Sequence, residues 1–215
     1  MAFMTMHQAQ GILAMTSEGK STVSSVFYII LLVAVFMAFI FGWQTFVSPP
    51  LGEDFSLTDS NGKTVTQVEL REKPSAIFFG YTMCPDICPT TLMSMTNWIK
   101  ELGQDADKIN IWFITVDPER DTPEVLHDYL SNFTDKVIGI SGDPAKVHKL
   151  VSSFNIAAEK VPGENGDYTY DHTAAILLTK KGGQFAGVIP YSVEENRNEL
   201  KDQIAIERLK NLAKQ

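Results

Sequence analysis

The sequence has few cysteines, few histidines and no excess of basic residues. Of its 215 residues only two are cysteine and four are histidine, and 26 acidic residues outnumber 18 basic ones, which gives a formal net charge of −8. Because no basic run is present, neither a nucleic acid nor an anionic membrane surface is indicated as a partner. An acidic domain could instead contact a cationic protein or a metal ion.

Charge is also missing from one long stretch near the amino terminus. No charged residue occurs between Lys20 and Glu53, and residues 26–43 are almost entirely apolar. A bilayer-spanning helix needs about 20 apolar residues, and Tyr28 and Trp43 stand where interfacial aromatic residues are expected. The run is longer than the core of a signal peptide and is followed by no small-residue cleavage site. We therefore predict a cytoplasmic tail at residues 1–24, one transmembrane anchor at 25–47 and a single domain at 48–215.

The orientation and the compartment are predicted from the few charges that flank this span. Lys20 precedes it and no Lys or Arg follows until Lys63, so the positive-inside rule favours an exported domain. The first arginine is Arg71, whereas mitochondrial transit peptides are rich in arginine. We therefore expect a bacterial plasma membrane with the domain in the periplasm, in preference to a mitochondrial inner membrane.

Within the exported domain, apolar runs alternate with amphipathic helical patterns. Asn61-Gly62 is a dipeptide typical of a tight hairpin turn. The predicted elements that follow are strands at 75–81, 109–116 and 136–140, helices from Pro89 and over about 122–133 and 143–154, a hairpin around Lys180–Gly183 and a helix at about 193–213. Strands alternating with helices, preceded by a β-hairpin, predict a three-layer α/β sandwich.

Both cysteines lie in one segment, GYTMCPDICPTTL, at residues 80–92. The segment joins a predicted buried strand to the helix that begins at Pro89, which is where open α/β sheets place their chemistry. Cys88 is thereby predicted near the helix N-cap, where the helix dipole favours a thiolate. Pro85 and Pro89 stiffen the loop. We therefore expect Cys84 and Cys88 to be exposed, activatable thiols.

The cysteine pair has three candidate uses. A structural disulfide between residues four apart would close a very small loop and constrain the unfolded chain little. A thiol–disulfide enzyme uses this strand–loop–helix position, although with one residue fewer between its cysteines. A metal site would need a third ligand, and two thiolates with an imidazole suit Cu(I), while Zn(II) or Cu(II) could also use them. The spacing disfavours the first use and leaves the other two open.

Four histidines are candidates for the third ligand. His7 precedes the span and cannot reach the loop, and His127 and His148 lie within helical patterns that predict surface positions. His172 stands at the start of a predicted apolar strand. Asp171 precedes it and could orient its imidazole.

Three motifs of this chain resemble the Sco/SenC family. They are GYTMCPDICPTTL, then VDPERDTPE at 116–124 and YDHTAAILL at 170–178, behind one amino-terminal span. The resemblance covers residues 50–212. It implies a membrane-tethered, thioredoxin-like protein that binds copper and takes part in the assembly of cytochrome c oxidase.

The same resemblance implies roles for individual residues. It implies Cys84, Cys88 and His172 as ligands of Cu(I) or Cu(II), and a supporting role for Asp117. The implied partners are cytochrome c oxidase subunit II, whose dinuclear copper site would receive the metal, and a copper donor protein. Reduction of the cysteines of that site is the alternative function. Met83 departs from the aromatic residue or histidine common in the family, which could alter copper affinity.

Overall fold

A computed structural model describes residues 24–40, 49–163, 166–191 and 198–215. The chain divides into two units, Met1–Ser48 and Pro49–Gln215. In the first unit residues 24–40 form a helix, α1, whose residues are all exposed. None of the helices in the described part of the chain is both long enough and apolar enough to cross a bilayer. The predicted tail at 1–24, except its last residue, and positions 41–47 of the predicted anchor lie outside the described residues.

Among its described residues, the second unit contains nine strands in two sheets. The strands are β1 (Ser56–Asp59), β2 (Thr64–Thr66), β3 (Ser75–Gly80), β4 (Asn110–Thr115), β5 (Val137–Ser141), β6 (Ala158–Pro162), β7 (Tyr168–His172), β8 (Ala175–Thr179) and β9 (Phe185–Pro190). Seven form one mixed sheet in the order β2-β1-β5-β4-β3-β8-β9, in which β3, β4 and β5 run parallel. Strands β6 and β7 pair antiparallel in a separate two-stranded sheet, here called the hairpin sheet.

The described residues of this unit also form α-helices and a 3-10 segment. They are α2 (Gln67–Glu72), α3 (Ile87–Leu102), the 3-10 segment Gly103–Lys108, α4 (Pro123–Ser131), α5 (Pro144–Ser153) and α6 (Asn198–Leu212). Capping residues in the sequence explain where three of these helices begin. Thr66 and Glu69 form a capping box at α2, and the side chains of Thr122 and Asp143 cap α4 and α5, each followed by a proline in the first turn.

The core lies around β3, whose six residues are all buried. This strand is hydrogen-bonded on both sides, to β4 and β8, and its continuous apolar run is typical of a strand covered on both faces. The rings of Phe78 and Phe113 meet edge to face with centroids 5.7 Å apart. Helix α3 packs against α6, where Trp98 Nε1 donates to Asp202 Oδ1 at 2.6 Å. The predicted α/β class and the amino-terminal β-hairpin are confirmed.

The structure differs from the sequence prediction at α2, which was not predicted, at the start of α3 and in the hairpin sheet. Helix α3 begins at Ile87, two residues before the predicted start, because Asp86 already takes the N-cap position. The hairpin sheet was not predicted, and His172 ends β7 instead of beginning the apolar strand β8. The described part of the last helix begins at Asn198, and residues 192–197, which the prediction included in part, lie outside the described residues.

Candidate metal centre

The two cysteines lie at the junction of β3 and α3. Cys84 is in the connecting loop, where its N–H donates to the Tyr81 carbonyl at 3.3 Å, and Cys88 is in the first turn of α3. Both thiols are free. The prediction of exposed thiols was wrong, because Cys84 is only 9% exposed and Cys88 is fully buried.

Burial of Cys88 depends on a glycine at the end of β3. A Cβ atom at Gly80 would lie 2.9 Å from Cys88 Sγ and 3.0 Å from the Phe113 ring. Real Cβ atoms avoid contacts this short, so the sulfur occupies space that any larger residue would fill. Gly80 therefore sets how deeply the second cysteine packs.

The Cys84 sulfur caps α3. Asp86 holds the N-cap position but its side chain caps no N–H group, unlike the cap residues of α4 and α5. Instead the Cys88 N–H donates to Cys84 Sγ at 3.4 Å. A helix amino terminus carries partial positive charge, so an anionic sulfur is favoured there.

The two sulfurs have opposite affinities for a proton. Hydrogen bonding from the side chain and the N–H of Cys88 lowers the pKa of Cys84 to about 4, against the opposing effect of burial. The same interaction, together with burial, raises the pKa of Cys88. Within the pair the negative charge is therefore favoured on Cys84, whereas the helix position alone predicts it on Cys88.

His172 approaches the cysteines from the end of β7. Its Nε2 lies 3.8 Å from Cys88 Sγ. Its Nδ1 faces the Thr173 carbonyl at 3.3 Å, and because a carbonyl only accepts, this contact favours a proton on Nδ1 and a free lone pair on Nε2. The Tyr81 ring meets the imidazole edge to face at 5.8 Å.

The three predicted ligands are brought together. The sulfurs of Cys84 and Cys88 and a ring nitrogen of His172 all lie within 4.8 Å of one another. Bonds of about 2.3 Å to sulfur and about 2.0 Å to nitrogen would separate a bound sulfur and nitrogen by about 3.5–3.7 Å. The 3.8 Å between Cys88 Sγ and His172 Nε2 is close to that value. This donor set fits a soft ion with three ligands.

The two predicted supporting carboxylates lie in different surroundings. Asp117 is fully buried, forms an ion pair with Arg120 and accepts from the Tyr168 hydroxyl at 3.0 Å. Asp171 is exposed on the hairpin sheet, and the His172 Nδ1 faces the Thr173 carbonyl instead. An orienting role for Asp171 stays a prediction.

The remaining candidate residues lie away from the centre or at its surface. His127 is exposed on α4, His148 is half-buried on α5, and His7 lies outside the described residues. Met83, next to Cys84, is 60% exposed. A methionine this exposed lies at the surface beside the cysteine pair.

Sequence reasoning missed Asp121, a fully buried carboxylate in the second motif. It accepts from the Thr82 N–H at 3.1 Å, from the Thr82 hydroxyl at 2.5 Å and from the Thr115 hydroxyl at 2.6 Å. Burial raises its pKa, and the two hydroxyls oppose that rise. The second aspartate of VDPERDTPE was the available signal in the sequence.

Comparison with known proteins gives one consistent family. The family model described as SCO1/SenC matches residues 45–207. A SCO2-like protein of Rickettsia typhi is 42% identical over 137 residues, which are 63% of this chain and 68% of that protein.

Two solved structures are similar over most of the domain. The copper-bound structure of ScoI from Bradyrhizobium japonicum is 46% identical, with a TM-score of 0.67, and the match covers 75% of this chain and 99% of that one. BsSco, described as having a disulfide switch and as a member of the Sco family of cytochrome c oxidase assembly proteins, is 25% identical with a TM-score of 0.57, over 78% of this chain and 98% of that one.

Proposed function

Because the chain belongs to the SCO1/SenC family, we propose that it is a copper metallochaperone and not an enzyme. In this proposal Cys84, Cys88 and His172 hold one copper ion, as Cu(I) or Cu(II), for delivery to another protein. The observation that carries the proposal is the approach of their ligand atoms to within 4.8 Å of one another. The copper-bound structure of the similar ScoI supports it.

The chemistry of the three ligands suits a metal ion that is bound and then transferred to another protein. Thiolates are the form that binds metal, and the lowered pKa of Cys84 means that one is present before copper arrives. Binding would then displace the single proton retained by Cys88. Two sulfurs and one nitrogen favour Cu(I), and three ligands leave room for a ligand from a partner during transfer.

The proposed destination is the dinuclear copper site of cytochrome c oxidase subunit II, with a separate protein as copper donor. The description of BsSco as a member of a family of cytochrome c oxidase assembly proteins supports an oxidase as the partner. We further propose that residues 25–47 anchor the domain 48–215 in a bacterial plasma membrane, with the domain in the periplasm. The relative in the bacterium Rickettsia typhi is consistent with a bacterial setting.

Titration of the reduced protein with Cu(I) against a competing chelator tests the ligand set. We expect one Cu(I) per chain, and an affinity lower by on the order of 10- to 1000-fold in His172→Ala, which removes one ligand of three. His148→Ala, which changes a half-buried histidine on α5, is the matched control and should bind like wild type. Equal Cu(I) affinities for wild type and both variants would show that the His172 imidazole is not a ligand.

A second function is favoured by the asymmetric pKa values of the pair. We propose as the alternative that the chain reduces the disulfide of the oxidase copper site. The Cys84 thiolate would attack one partner sulfur, and one partner thiolate would leave. Cys88, after losing its proton, would attack Cys84 and release the second partner thiolate. Two electrons pass to the partner, and Cys84 and Cys88 end as a disulfide.

The two functions differ in their need for His172. Reduction of an oxidised subunit II fragment by the metal-free protein, followed by thiol labelling, measures the second function. Rapid exchange that survives His172→Ala would favour the reductase, because the imidazole takes no part in sulfur exchange. Transfer of Cu(I) to a pre-reduced fragment, lost in His172→Ala, would favour the metallochaperone.

A further inference from the structure

The loop between β4 and α4, residues 116–122, contacts both halves of the candidate metal centre. We call it the bracing loop. Asp117 and Asp121 within it are fully buried, and Arg120 is half-buried. The cysteines come from one part of the fold and the histidine from the hairpin sheet, so something must hold the two parts in register.

One end of the bracing loop holds the cysteine loop. Asp121 accepts both the N–H and the hydroxyl of Thr82, two residues before Cys84. The same carboxylate accepts from the Thr115 hydroxyl at the end of β4. Three hydrogen bonds to one buried carboxylate fix the Thr82 backbone relative to the central strands, because leaving any of these groups unpaired would be costly.

The adjacent residue holds the hairpin sheet. Arg120 pairs with Asp117, and its Nη1 donates to Asp167 Oδ1 at 3.2 Å and to the Tyr168 carbonyl at 3.1 Å. Its guanidinium also lies over the Tyr168 ring, 3.8 Å from the centroid. Tyr168 is the first residue of β7, which ends at His172, and Asp167 directly precedes it, so these contacts fix the base of that strand.

The bracing loop is itself a closed turn. The N–H groups of Arg120 and Asp121 both donate to the Asp117 carbonyl, at 3.2 and 2.9 Å, and the Asp117 N–H donates to the Thr115 hydroxyl at 2.9 Å. The Ser141 hydroxyl donates to the Asp121 carbonyl from β5. These hydrogen bonds fix the turn relative to the seven-stranded sheet. They therefore also fix where the side chains of Asp121 and Arg120 make their contacts.

We propose that the bracing loop sets the separation between the cysteines and His172, with Asp121 positioning Cys84 through Thr82 and Arg120 positioning His172 through β7. This proposal rests on the proposed function, since the separation matters because one ion must reach all three ligands. Neither Arg120 nor Asp121 is a ligand; both act through other residues.

The cysteine side is tested with Thr82→Val, which removes the hydroxyl at nearly constant shape, and Thr82→Ser, which restores it. We expect Thr82→Val to lower Cu(I) affinity by on the order of 10- to 100-fold and to change the equilibrium constant of the dithiol with glutathione. Thr82→Ser should restore both. Thr82 is half-buried, so both variants should fold. Wild-type values for Thr82→Val would overturn this half of the proposal.

The histidine side is tested with Arg120→Lys, which keeps a cation beside Asp117 but cannot also span Asp167 and the Tyr168 carbonyl. We expect Cu(I) affinity to fall by on the order of 10-fold, with an unchanged glutathione equilibrium. In a His172→Ala background Arg120→Lys should have no further effect on affinity, whereas Thr82→Val should still have one. An equal loss in both backgrounds would overturn the proposal, because it would indicate general destabilisation.

A metal-free measurement separates this proposal from the proposed function. Nitrogen chemical shifts of the His172 ring should change in Arg120→Lys and stay as in wild type in Thr82→Ser. If wild type binds no Cu(I) but these shifts still change, the proposed function fails and the positioning role stands. If wild type binds Cu(I) and Arg120→Lys alters neither the ring shifts nor the affinity, the positioning role fails.

Discussion

The seven-stranded sheet and the hairpin sheet contribute to the same site but are built differently. All six residues of β3 are buried, whereas β6 has no buried residue and β7 has one, Tyr170. The cysteines follow a strand of the first sheet, and His172 ends a strand of the second. The centre therefore joins a rigid, densely packed half to a half that depends on a few side-chain contacts.

Several of those contacts belong to one row of aromatic rings. Tyr168, Tyr170, Tyr81 and His172 follow one another with ring centroids 5.8 or 5.9 Å apart. The Tyr81 hydroxyl lies 2.5 Å from Thr169 Oγ1 in the hairpin sheet. An isolated two-stranded hairpin is marginal in water, so this row and the bracing loop must supply its stability.

The largest effect is expected from crowding the packed half. Gly80→Ala would place a Cβ 2.9 Å from Cys88 Sγ, so we expect an unfolding free energy lower by about 1–3 kcal/mol and a Cu(I) affinity lower by on the order of 100-fold. Gly139→Ala is the matched control, because its Cβ would meet Leu126 at 3.0 Å and no sulfur. Urea denaturation measures the unfolding free energy of each variant, and Cu(I) titration measures its affinity for copper. Equal affinities in the two variants would contradict the account.

Thiol reactivity tests whether Cys84 is a thiolate even without the histidine that the hairpin sheet supplies. Because the pKa of Cys84 is lowered to about 4, its thiolate fraction should stay constant between about pH 6 and 8, where an ordinary thiol gains about 75-fold. Iodoacetamide labelling followed by mass spectrometry should therefore give a flat rate. His172→Ala should keep it flat, since the hydrogen bond from Cys88 is the largest cause. A rate that rises through this range in wild type would refute the assignment of the thiolate.

Hydrogen exchange measures the difference in stability between the two sheets. Amides of β3 and β4 should exchange only through global unfolding, whereas those of β6 and β7 should exchange through a local opening that costs several kcal/mol less. Adding Cu(I) should protect the hairpin sheet selectively, because the metal would tie His172 to the cysteines. Equal protection of the two sheets in the metal-free protein would show that the hairpin sheet is not the weaker half.

The smallest effect is expected at the exposed side of the hairpin sheet. Lys160 lies 3.6 Å from the centroid of the Tyr168 ring and pairs with Glu119 at 3.2 Å, and both charged side chains are solvent-accessible. We expect Lys160→Ala to cost no more than about 1 kcal/mol of stability and less than about fivefold in Cu(I) affinity. A loss as large as that of Arg120→Lys would mean that the exposed contact, and not the bracing loop, holds the hairpin sheet.

The sequence was sufficient for the half of the site that is local in the chain. A buried strand, a cysteine loop and a proline-bearing helix are consecutive in the sequence, so Cys84 and Cys88 could be placed from patterns alone. Their burial could not, because the Cys88 sulfur and a ring of β4 both occupy space left by Gly80. That contact depends on strand pairing, which no local pattern encodes.

The histidine half was predictable only in part. The late histidine was a candidate from the start, but the hairpin sheet that carries it has short strands, and its register brings His172 opposite Ala158. The role of Asp121 was also hidden, since its partner Thr82 lies 39 residues away. Contacts of this kind become visible only when the strands are assembled.

X-ray absorption at the copper edge tests the central claim most directly. For the Cu(I)-loaded protein we predict two sulfur neighbours at about 2.3 Å and one nitrogen at about 2.0 Å, with the nitrogen lost in His172→Ala. Identical spectra for the two proteins, with sulfur as the only neighbour, would contradict the claim that the hairpin sheet supplies a ligand to the cysteine pair.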